Sequence, residues 1–199
     1  EFGLVIKEPS VDFKRMMERK EAIVNQLARG IKYLLNANGV KMLKGKGVIS
    51  SPKQITVIQD GETTKVDVEV IIIATGSRAK ILPIPGVDSK GVMTSDEALR
   101  VEAVPESLLI VGGGPEGAEF ACVFNRLGCR VTVVEMLAGM LPFEDRELGN
   151  RLAQALKKEG VAIHTNTTVK KISDSDGGKK VTLLSANKEE EVEVDRVLL

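Results

Sequence analysis

The stretch Leu108–Glu135, LLIVGGGPEGAEFACVFNRLGCRVTVVE, decides the fold of this chain. Its first four residues form a short apolar run of the kind that a buried parallel strand needs. A glycine-rich run, 112–117, follows at once, and a helical pattern begins within it. A second apolar run, Val131–Val134, leads to an acidic residue, Glu135. We therefore predict a strand, a tight turn, a helix and a second parallel strand, which together make one unit of an α/β fold.

The glycine run matches G-x-G-x-x-G, a pattern that follows a strand and opens a helix in dinucleotide-binding units. Gly112 permits the tight turn, Gly114 lets the backbone approach a pyrophosphate, and Gly117 lets the helix lie close to its strand. Pro115 suits the first helical turn, where its missing N–H costs nothing. The free N–H groups and the positive end of the helix dipole would then face the phosphates.

Glu135 stands where a carboxylate can accept both hydroxyls of an adenosine ribose and would repel a 2′-phosphate. The sequence therefore favours NAD over NADP. Glu116 places a negative charge in the first helical turn, which suits the helix dipole but lies close to the site of an anionic ligand. The alternative is a glycine turn that serves packing alone. The candidate NAD-binding residues of this stretch are Gly112, Gly113, Gly114, Pro115, Glu116, Gly117 and Glu135.

The composition is that of an ordinary globular protein with room for one large domain or two small ones, since the chain has 199 residues. Lys plus Arg equals Asp plus Glu at 28 each, so no net charge attracts nucleic acid or an anionic membrane. The chain has no tryptophan and one tyrosine, which leaves few side chains for stacking on bases. No apolar run is long enough to span a bilayer. We therefore expect no nucleic-acid partner and no membrane segment.

The first part of the chain predicts a long helix and then short strands. Asp12 is suited to be an N-cap, apolar residues recur at helical spacing from Phe13, and Asn38-Gly39 closes the helix. The strand patterns that follow, with Asp60-Gly61 as a hairpin turn, are Val40–Leu43, Val48–Ser50 and Ile55–Ile58.

The apolar run Val70–Ala74 is typical of a strand that is buried on both faces. It ends at Thr75-Gly76-Ser77, small residues that let a ligand touch the backbone at the carboxyl end of such a strand. A simple turn would use the same residue types.

The second α/β unit begins after a stiff crossover, and we place the boundary between Arg78 and Gly91. Beyond Glu135, a helix led by Glu144 and Asp145 is predicted to end at Gly160. The remaining patterns are a third parallel strand, an antiparallel meander and a closing buried strand, at Val161–Ile163, Val169–Val194 and Val197–Leu199.

Few residues of this chain could carry chemistry themselves. Cys122 and Cys129 are the only cysteines, and two helical turns place them roughly 10 Å apart, too far for a disulfide. We expect both to be reduced thiols. His164 is the only histidine and has no identifiable partner for general base catalysis. No spacing typical of a metal site is present. We therefore predict no catalytic residue and no metal ligand in this chain.

The motifs together resemble the flavin- and NAD-dependent disulfide reductases, most closely their dihydrolipoamide dehydrogenase branch. The resemblance runs through essentially the whole chain and in the order of the family. The matching segments are Ile71–Ser77, Ile84–Gly86, Thr94–Leu99, Gly112–Glu119, Val133–Glu135, Leu141-Pro142 and Asp145. The departure lies at Pro115-Glu116, where the family usually has apolar residues, typically isoleucine at the second.

The resemblance implies a site role for several residues. Those that would contact FAD are Gly47, Thr75, Gly76 and Ser77. Besides the glycine turn and Glu135, those that would contact NAD are Glu119 and Val169.

The resemblance further implies a Rossmann-like NAD-binding domain, a parallel sheet plus a β-meander, joined to part of an FAD-binding domain. We place the middle segment of the FAD-binding domain at 1–85 and the NAD-binding domain, truncated at its last strand, at 86–199. The chain starts without methionine and stops within an apolar run, so we expect it to be a fragment. The family's redox cysteine pair, catalytic histidine and dimer domain would lie outside it.

In the intact parent, the resemblance implies electron transfer between dihydrolipoamide, FAD and NAD by a homodimer, in the cytoplasm or in the mitochondrial matrix. Two alternatives remain open. The parent could be another flavoprotein on the same scaffold, such as an NADH oxidase or a mercury or glutathione reductase. The isolated chain could instead be a nucleotide-binding module that catalyses nothing.

Overall fold

The computed structural model describes residues 10–199, and these fall into two compact units. One unit is residues 17–78; the other contains residues 10–16 and 79–199. No helix of the described range is both long and apolar enough to cross a membrane.

The long helix is present as predicted: α1 spans Phe13–Ala37. Asp12 caps it, because its Oδ1 accepts the Arg15 N–H at 3.0 Å. Gly39, at φ 72°, follows its end in the left-handed conformation that favours glycine. The helix has no buried residue, and most of its apolar stripe is exposed, with Leu27 63% exposed.

A three-stranded antiparallel sheet follows α1, with the strand order β1-β2-β3. Its strands are β1 (Lys46–Ser51), β2 (Gln54–Gln59) and β3 (Glu62–Asp67). The predicted hairpin turn at Asp60-Gly61 is confirmed, and both residues have positive φ, 50° and 84°. The strand predicted at Val40–Leu43 was wrong, because this segment has no regular structure.

The strand predicted at Val70–Ala74 was also wrong. This segment belongs to no strand, and Val70 and Ile72 are 76% and 85% exposed. A strand buried on both faces needs neighbouring strands for its N–H and C=O groups and packed layers above and below. Among residues 10–199 no strand pairs with this run. The apolar pattern shows only that these residues could be buried. It does not show that neighbouring strands are present to bury them.

The second unit is α/β, as predicted. Its elements in chain order are β4 (Val92–Met93), α2 (Ser95–Ala98), β5 (Ser107–Val111), α3 (Pro115–Arg126), β6 (Arg130–Val134), α4 (Arg146–Lys158), β7 (Ala162–His164), β8 (Thr167–Ser175), β9 (Gly178–Ser185), β10 (Lys188–Val194) and β11 (Arg196–Leu198). Five of these strands form a parallel sheet of order β4-β11-β5-β6-β7. The strands β8, β9 and β10 form the predicted antiparallel meander.

The central strand β5 is buried on both faces, and its residues alternate between two apolar clusters. Leu108 and Ile110 pack in the cluster that contains Phe120 and Phe124 of α3. Leu109 packs in the cluster that contains Val181 of the meander. This alternation has the period of two that is typical of a strand. Packing on both faces holds β5 in place, and with it the start of the glycine turn.

The buried Lys179 side chain links the meander to Ser89, which lies just before β4. Lys179 of β9 is 2% exposed, and its Nζ donates to Ser89 Oγ at 2.8 Å and pairs with the Asp174 carboxylate. A buried ammonium needs such partners, because an unpaired charge in the interior is costly.

Candidate dinucleotide-binding site

The candidate site lies where the strand order of the parallel sheet reverses. From β5 the chain continues through β6 to β7 on one side, and it returns through β11 on the other side of β5. In open α/β sheets, ligands bind at the carboxyl ends of the strands at such a switch point. A cavity of about 310 Å³ lies there, lined by Ser95, Ile110–Gly112, Gly114–Gly117, Phe120, Leu198 and Leu199.

The three motif glycines each meet a different steric demand. Gly112 has φ 120°, a backbone conformation that other residues rarely adopt, and its N–H donates to the Val134 carbonyl at 2.8 Å. A Cβ on Gly117 would lie 2.2 Å from the Gly112 carbonyl oxygen, so only glycine lets α3 approach β5 this closely. A Cβ on Gly114 would have nothing within 4 Å. The space beside Gly114 is therefore open, and its contact with a pyrophosphate stays a prediction.

The first turn of α3 leaves donors for an anion. Gly114 is the N-cap and has no side chain to cap the helix, and Pro115 has no N–H of its own. The remaining first-turn N–H groups and the helix dipole favour a negative ligand at this end. Glu116 and Glu119 are both exposed, and the structure places Glu116 in the lining of the cavity, where its charge opposes such a ligand.

Glu135 is buried, with 6% of its surface exposed, directly after β6. Its Oε2 accepts the Gly113 N–H at 2.7 Å, and its Oε1 accepts the Leu137 N–H at 2.7 Å. A carboxylate offers about four lone-pair sites, so each oxygen keeps one for a further donor. These lone pairs are those that a ribose hydroxyl would need, but Glu135 does not line the cavity, so its contact with the ribose stays a prediction.

Val169 lies on β8, half-buried against the apolar cluster of Leu109 and Val134, and it does not line the cavity. Two residues before it, Thr167 donates its N–H to the Glu135 carbonyl at 3.0 Å. The start of the meander is thus tied to the end of β6, but the contact of Val169 with NAD stays a prediction.

The candidate FAD residues all lie at the surface. Gly47 belongs to β1, where it pairs with Val57, and it is exposed. Thr75, Gly76 and Ser77 are exposed and belong to no helix or strand. Such residues do not by themselves enclose a flavin, so their assignment to FAD also stays a prediction.

Six residues that line the cavity were not among the predicted site residues: Ser95, Ile110, Val111, Phe120, Leu198 and Leu199. Ser95 begins α2, and Leu198 reaches the site because β11 inserts between β4 and β5. The order of strands in the sequence does not determine their order in the sheet, so the position of β11 beside β5 could not be predicted. No local signal could have found Leu198 and Leu199, whereas Phe120 lies just after the glycine turn and Ser95 lies in a segment that resembles the family.

The cysteines are both free, as predicted. Burial raises the pKa of the Cys129 thiol to about 11, with a smaller contribution from the charge of Asp195 and an opposing one from Arg130. His164 lies at the end of β7, and its backbone carbonyl accepts the Glu135 N–H at 2.8 Å. The residues that the structure describes contain no group of three or more acidic, histidine or cysteine side chains that could hold a metal ion.

We expect Cys129 to resist alkylation in the folded protein. A raised pKa keeps the thiol neutral, so at pH 8 its thiolate fraction should be about two hundredfold below that of a free cysteine of pKa about 8.5. Iodoacetamide labelling followed by peptide mass spectrometry should show the Cys129 rate rising about tenfold per pH unit from pH 7 to 10, since the thiolate is the reactive form. Labelling in denaturant is the control, and labelling of native Cys129 at the rate of a free cysteine at pH 8 would contradict the assignment.

Comparison with known proteins supports the same family throughout the chain. The model of the pyridine nucleotide-disulphide oxidoreductase family matches residues 5–199. A dihydrolipoyl dehydrogenase from Acholeplasma laidlawii is 42% identical over 196 residues, which cover 96% of this chain and 56% of that protein. A dihydrolipoamide dehydrogenase from Chaetomium thermophilum is 36% identical, over 99% of this chain and 40% of that protein.

The solved structures agree with the sequences. The HOCl-induced flavoprotein disulfide reductase RclA from Escherichia coli superposes with a TM-score of 0.80 at 31% identity, over 94% of this chain and 42% of that one. The chain thus spans between 40% and 56% of the length of these three relatives.

A flavin and a pyridine nucleotide both figure in these names, so the predicted cofactors, FAD and NAD, match those of the family. The predicted Rossmann-like fold and the predicted membership in an oxidoreductase family are likewise confirmed. The chain belongs to the pyridine nucleotide-disulphide oxidoreductase family.

Proposed function

We propose that the second unit binds NAD(H) and serves as the pyridine-nucleotide site of a dihydrolipoamide dehydrogenase-like disulfide oxidoreductase. One observation carries the proposal. The glycine turn and the cavity at the carboxyl ends of β5 and β11 lie at the switch point of the parallel sheet, and Glu135 is bonded to the same turn.

Each part of the site has a separate task in this proposal. The open backbone at Gly114 and the first-turn N–H groups of α3 hold the pyrophosphate. The remaining lone pairs of Glu135 accept the hydroxyls of the adenosine ribose. The apolar lining, Ile110, Phe120 and Leu198, excludes water beside the turn. The backbone N–H groups then orient the ligand through hydrogen bonds. Glu116 opposes the anionic ligand, and its position at a solvent-exposed helix end limits that effect through screening.

For the whole protein, we propose electron transfer between dihydrolipoamide, FAD and NAD by a homodimer. The names of the relatives from Acholeplasma laidlawii and Chaetomium thermophilum support dihydrolipoamide as the substrate, and the homodimer rests on the family resemblance alone. When bound, NAD supplies or accepts a hydride and FAD relays the electrons. In this chain we assign no residue to the disulfide chemistry, and Gly47 with residues 75–77 remains our proposal for one edge of the flavin site. We also propose the division into residues 1–85 and 86–199.

Other flavoproteins on this scaffold are the second candidate for the whole protein. A leghemoglobin reductase from Vigna unguiculata is 36% identical over 91% of this chain, so similar sequences are associated with a different electron acceptor. An NADH oxidase or a mercury or glutathione reductase would use the same nucleotide site. Bacterial relatives and a mitochondrial one from Pisum sativum support a cytoplasmic or matrix location.

The identity of the nucleotide tests the proposal. We expect the chain to bind NADH at least about tenfold more tightly than NADPH, a difference of about 1.4 kcal/mol, because in the proposed pose the Glu135 carboxylate would repel a 2′-phosphate. Glu135→Ala should bring the ratio of the two dissociation constants close to one. Titration of nicotinamide fluorescence measures both constants, and the absence of tryptophan removes the strongest source of protein emission.

Glu190→Gln is the matched control, since it removes an exposed carboxylate on β10, away from the glycine turn. It should keep the wild-type ratio. Equal affinities of the wild-type chain for NADH and NADPH would show that Glu135 does not select the nucleotide, and absence of binding by either would overturn the proposed function.

A further inference from the structure

The peptide groups of Gly113, the residue between the first two motif glycines, are held from both sides. Its N–H donates to Glu135 Oε2 at 2.7 Å, in a bond that is buried from solvent. Its carbonyl accepts the Leu141 N–H, also at 2.7 Å. A Cβ on Gly113 would lie 2.8 Å from the Met140 sulfur and 3.1 Å from the Glu135 Cβ, so the two sides close tightly on this residue.

The segment that contacts Gly113 is itself held in place by a hydrogen bond and by packing. We call residues 135–141 the clamp loop. The second carboxylate oxygen of Glu135 accepts the Leu137 N–H at 2.7 Å, which fixes the rotation of the carboxylate. Met140 is 3% exposed, and a Cβ on Gly149 of α4 would lie 2.1 Å from the Met140 carbonyl, so α4 packs directly on the loop. Leu141 has φ 50°, a conformation that a residue other than glycine holds only when its surroundings impose it.

This arrangement gives Glu135 a second task. Hydrogen bonds to an ionised carboxylate are roughly twice as strong as neutral ones, and this one is shielded from water. The Gly113 N–H already donates to Glu135, so it is not a donor to a phosphate. The bond instead sets the direction in which the backbone enters Gly114. We propose that Glu135 is a positioning residue for the phosphate-binding turn, in addition to its contact with the ribose. This inference rests on the proposed function.

A ligand without the adenosine ribose hydroxyls separates the two tasks. We would titrate the wild type, Glu135→Ala, Glu135→Gln and the control Glu190→Gln with NADH and with its 2′,3′-dideoxyadenosine analogue. If Glu135 acts only on the hydroxyls, its replacement leaves the affinity for the analogue at the wild-type value. If it also positions the turn, both Glu135 variants should bind the analogue at least about fivefold more weakly than the wild type does. Glutamine should not rescue the affinity, because its amide has one acceptor oxygen for two N–H donors.

Calorimetry separates positioning from a loss of folded protein. Partial unfolding would lower the number of sites, whereas misplacement of the turn would raise the Kd of the sites that remain. Amide hydrogen exchange gives a readout without ligand: the Gly113 amide should exchange at least about tenfold faster in Glu135→Gln than in the wild type or Glu190→Gln. Unchanged affinity for the analogue in both Glu135 variants would overturn the inference alone. A wild-type chain that binds neither ligand would overturn the proposed function, and the inference with it.

Discussion

Gly117→Ala should weaken NADH binding at least about tenfold and lower the free energy of unfolding by about 1–3 kcal/mol. The added Cβ would lie 2.2 Å from the Gly112 carbonyl oxygen, and real Cβ atoms do not approach another heavy atom within 3.0 Å. The contact is with backbone, so the start of α3 must move away from β5. That movement displaces the N–H groups proposed to hold the pyrophosphate. Fluorescence titration and urea unfolding measure the two effects.

Gly30→Ala is the matched control, since Gly30 also lies in a helix, and a Cβ there would have nothing within 4 Å. It should leave NADH binding unchanged and stabilise α1 by about 0.5–1 kcal/mol, because alanine is the better helix former. The explanation of the third motif glycine would be wrong if Gly117→Ala bound NADH as tightly as Gly30→Ala does.

The second large effect is an absence of turnover. The 199-residue chain, supplied with FAD, NADH and lipoamide, should show no lipoamide-dependent oxidation of NADH, whereas enzymes typically turn over about 1–1000 times per second. Disulfide exchange needs a thiolate in reach of a partner thiol. The only two cysteines of the chain are free: Cys122 lies on α3, and Cys129 lies beyond the end of that helix, where its neutral thiol is buried.

The assay follows absorbance at 340 nm, and a complete dihydrolipoamide dehydrogenase is the positive control for the reagents. Activity that depends on lipoamide and disappears in a Cys122→Ser, Cys129→Ser double variant would show that these cysteines carry disulfide chemistry. Such a result would contradict our assignment of no catalytic residue to this chain.

The central unit could be predicted because its signals are local and agree with one another. The run Leu108–Val111 has the composition of a buried strand, the glycines mark the turn, and α3 follows at helical spacing. The meander was equally readable, since its apolar residues alternate with a period of two and glycines mark its turn. In these segments, the residues that determine the structure are neighbours in sequence.

Long-range placement could not be read from the sequence in the same way. The insertion of β11 between β4 and β5 creates the switch point and brings Leu198 into the cavity, yet nothing in Val197–Leu199 specifies the neighbours of the strand. Val70–Ala74 shows the opposite case, in which a strong strand pattern has no strand to pair with in the described residues. Burial of Lys179 was likewise unexpected, because its partners Ser89 and Asp174 come from separate segments.

Glu135 shows the limit most clearly for the site. The motif predicted its position and a ribose contact, but it did not predict that both carboxylate oxygens bond to backbone N–H groups. That information depends on the path of the clamp loop, which is set by packing of Met140 against α4.

The most direct test of the nucleotide site is a two-dimensional ¹⁵N–¹H spectrum of the chain, titrated with NADH. The account predicts that the largest shift changes fall on the amides of Gly112, Gly114 and Gly117 and of the neighbouring β11 residue Leu198, which line one cavity. Amides of β1–β3 should stay unchanged. Saturable changes confined to another part of the chain, or none at millimolar NADH, would contradict a dinucleotide site at this switch point.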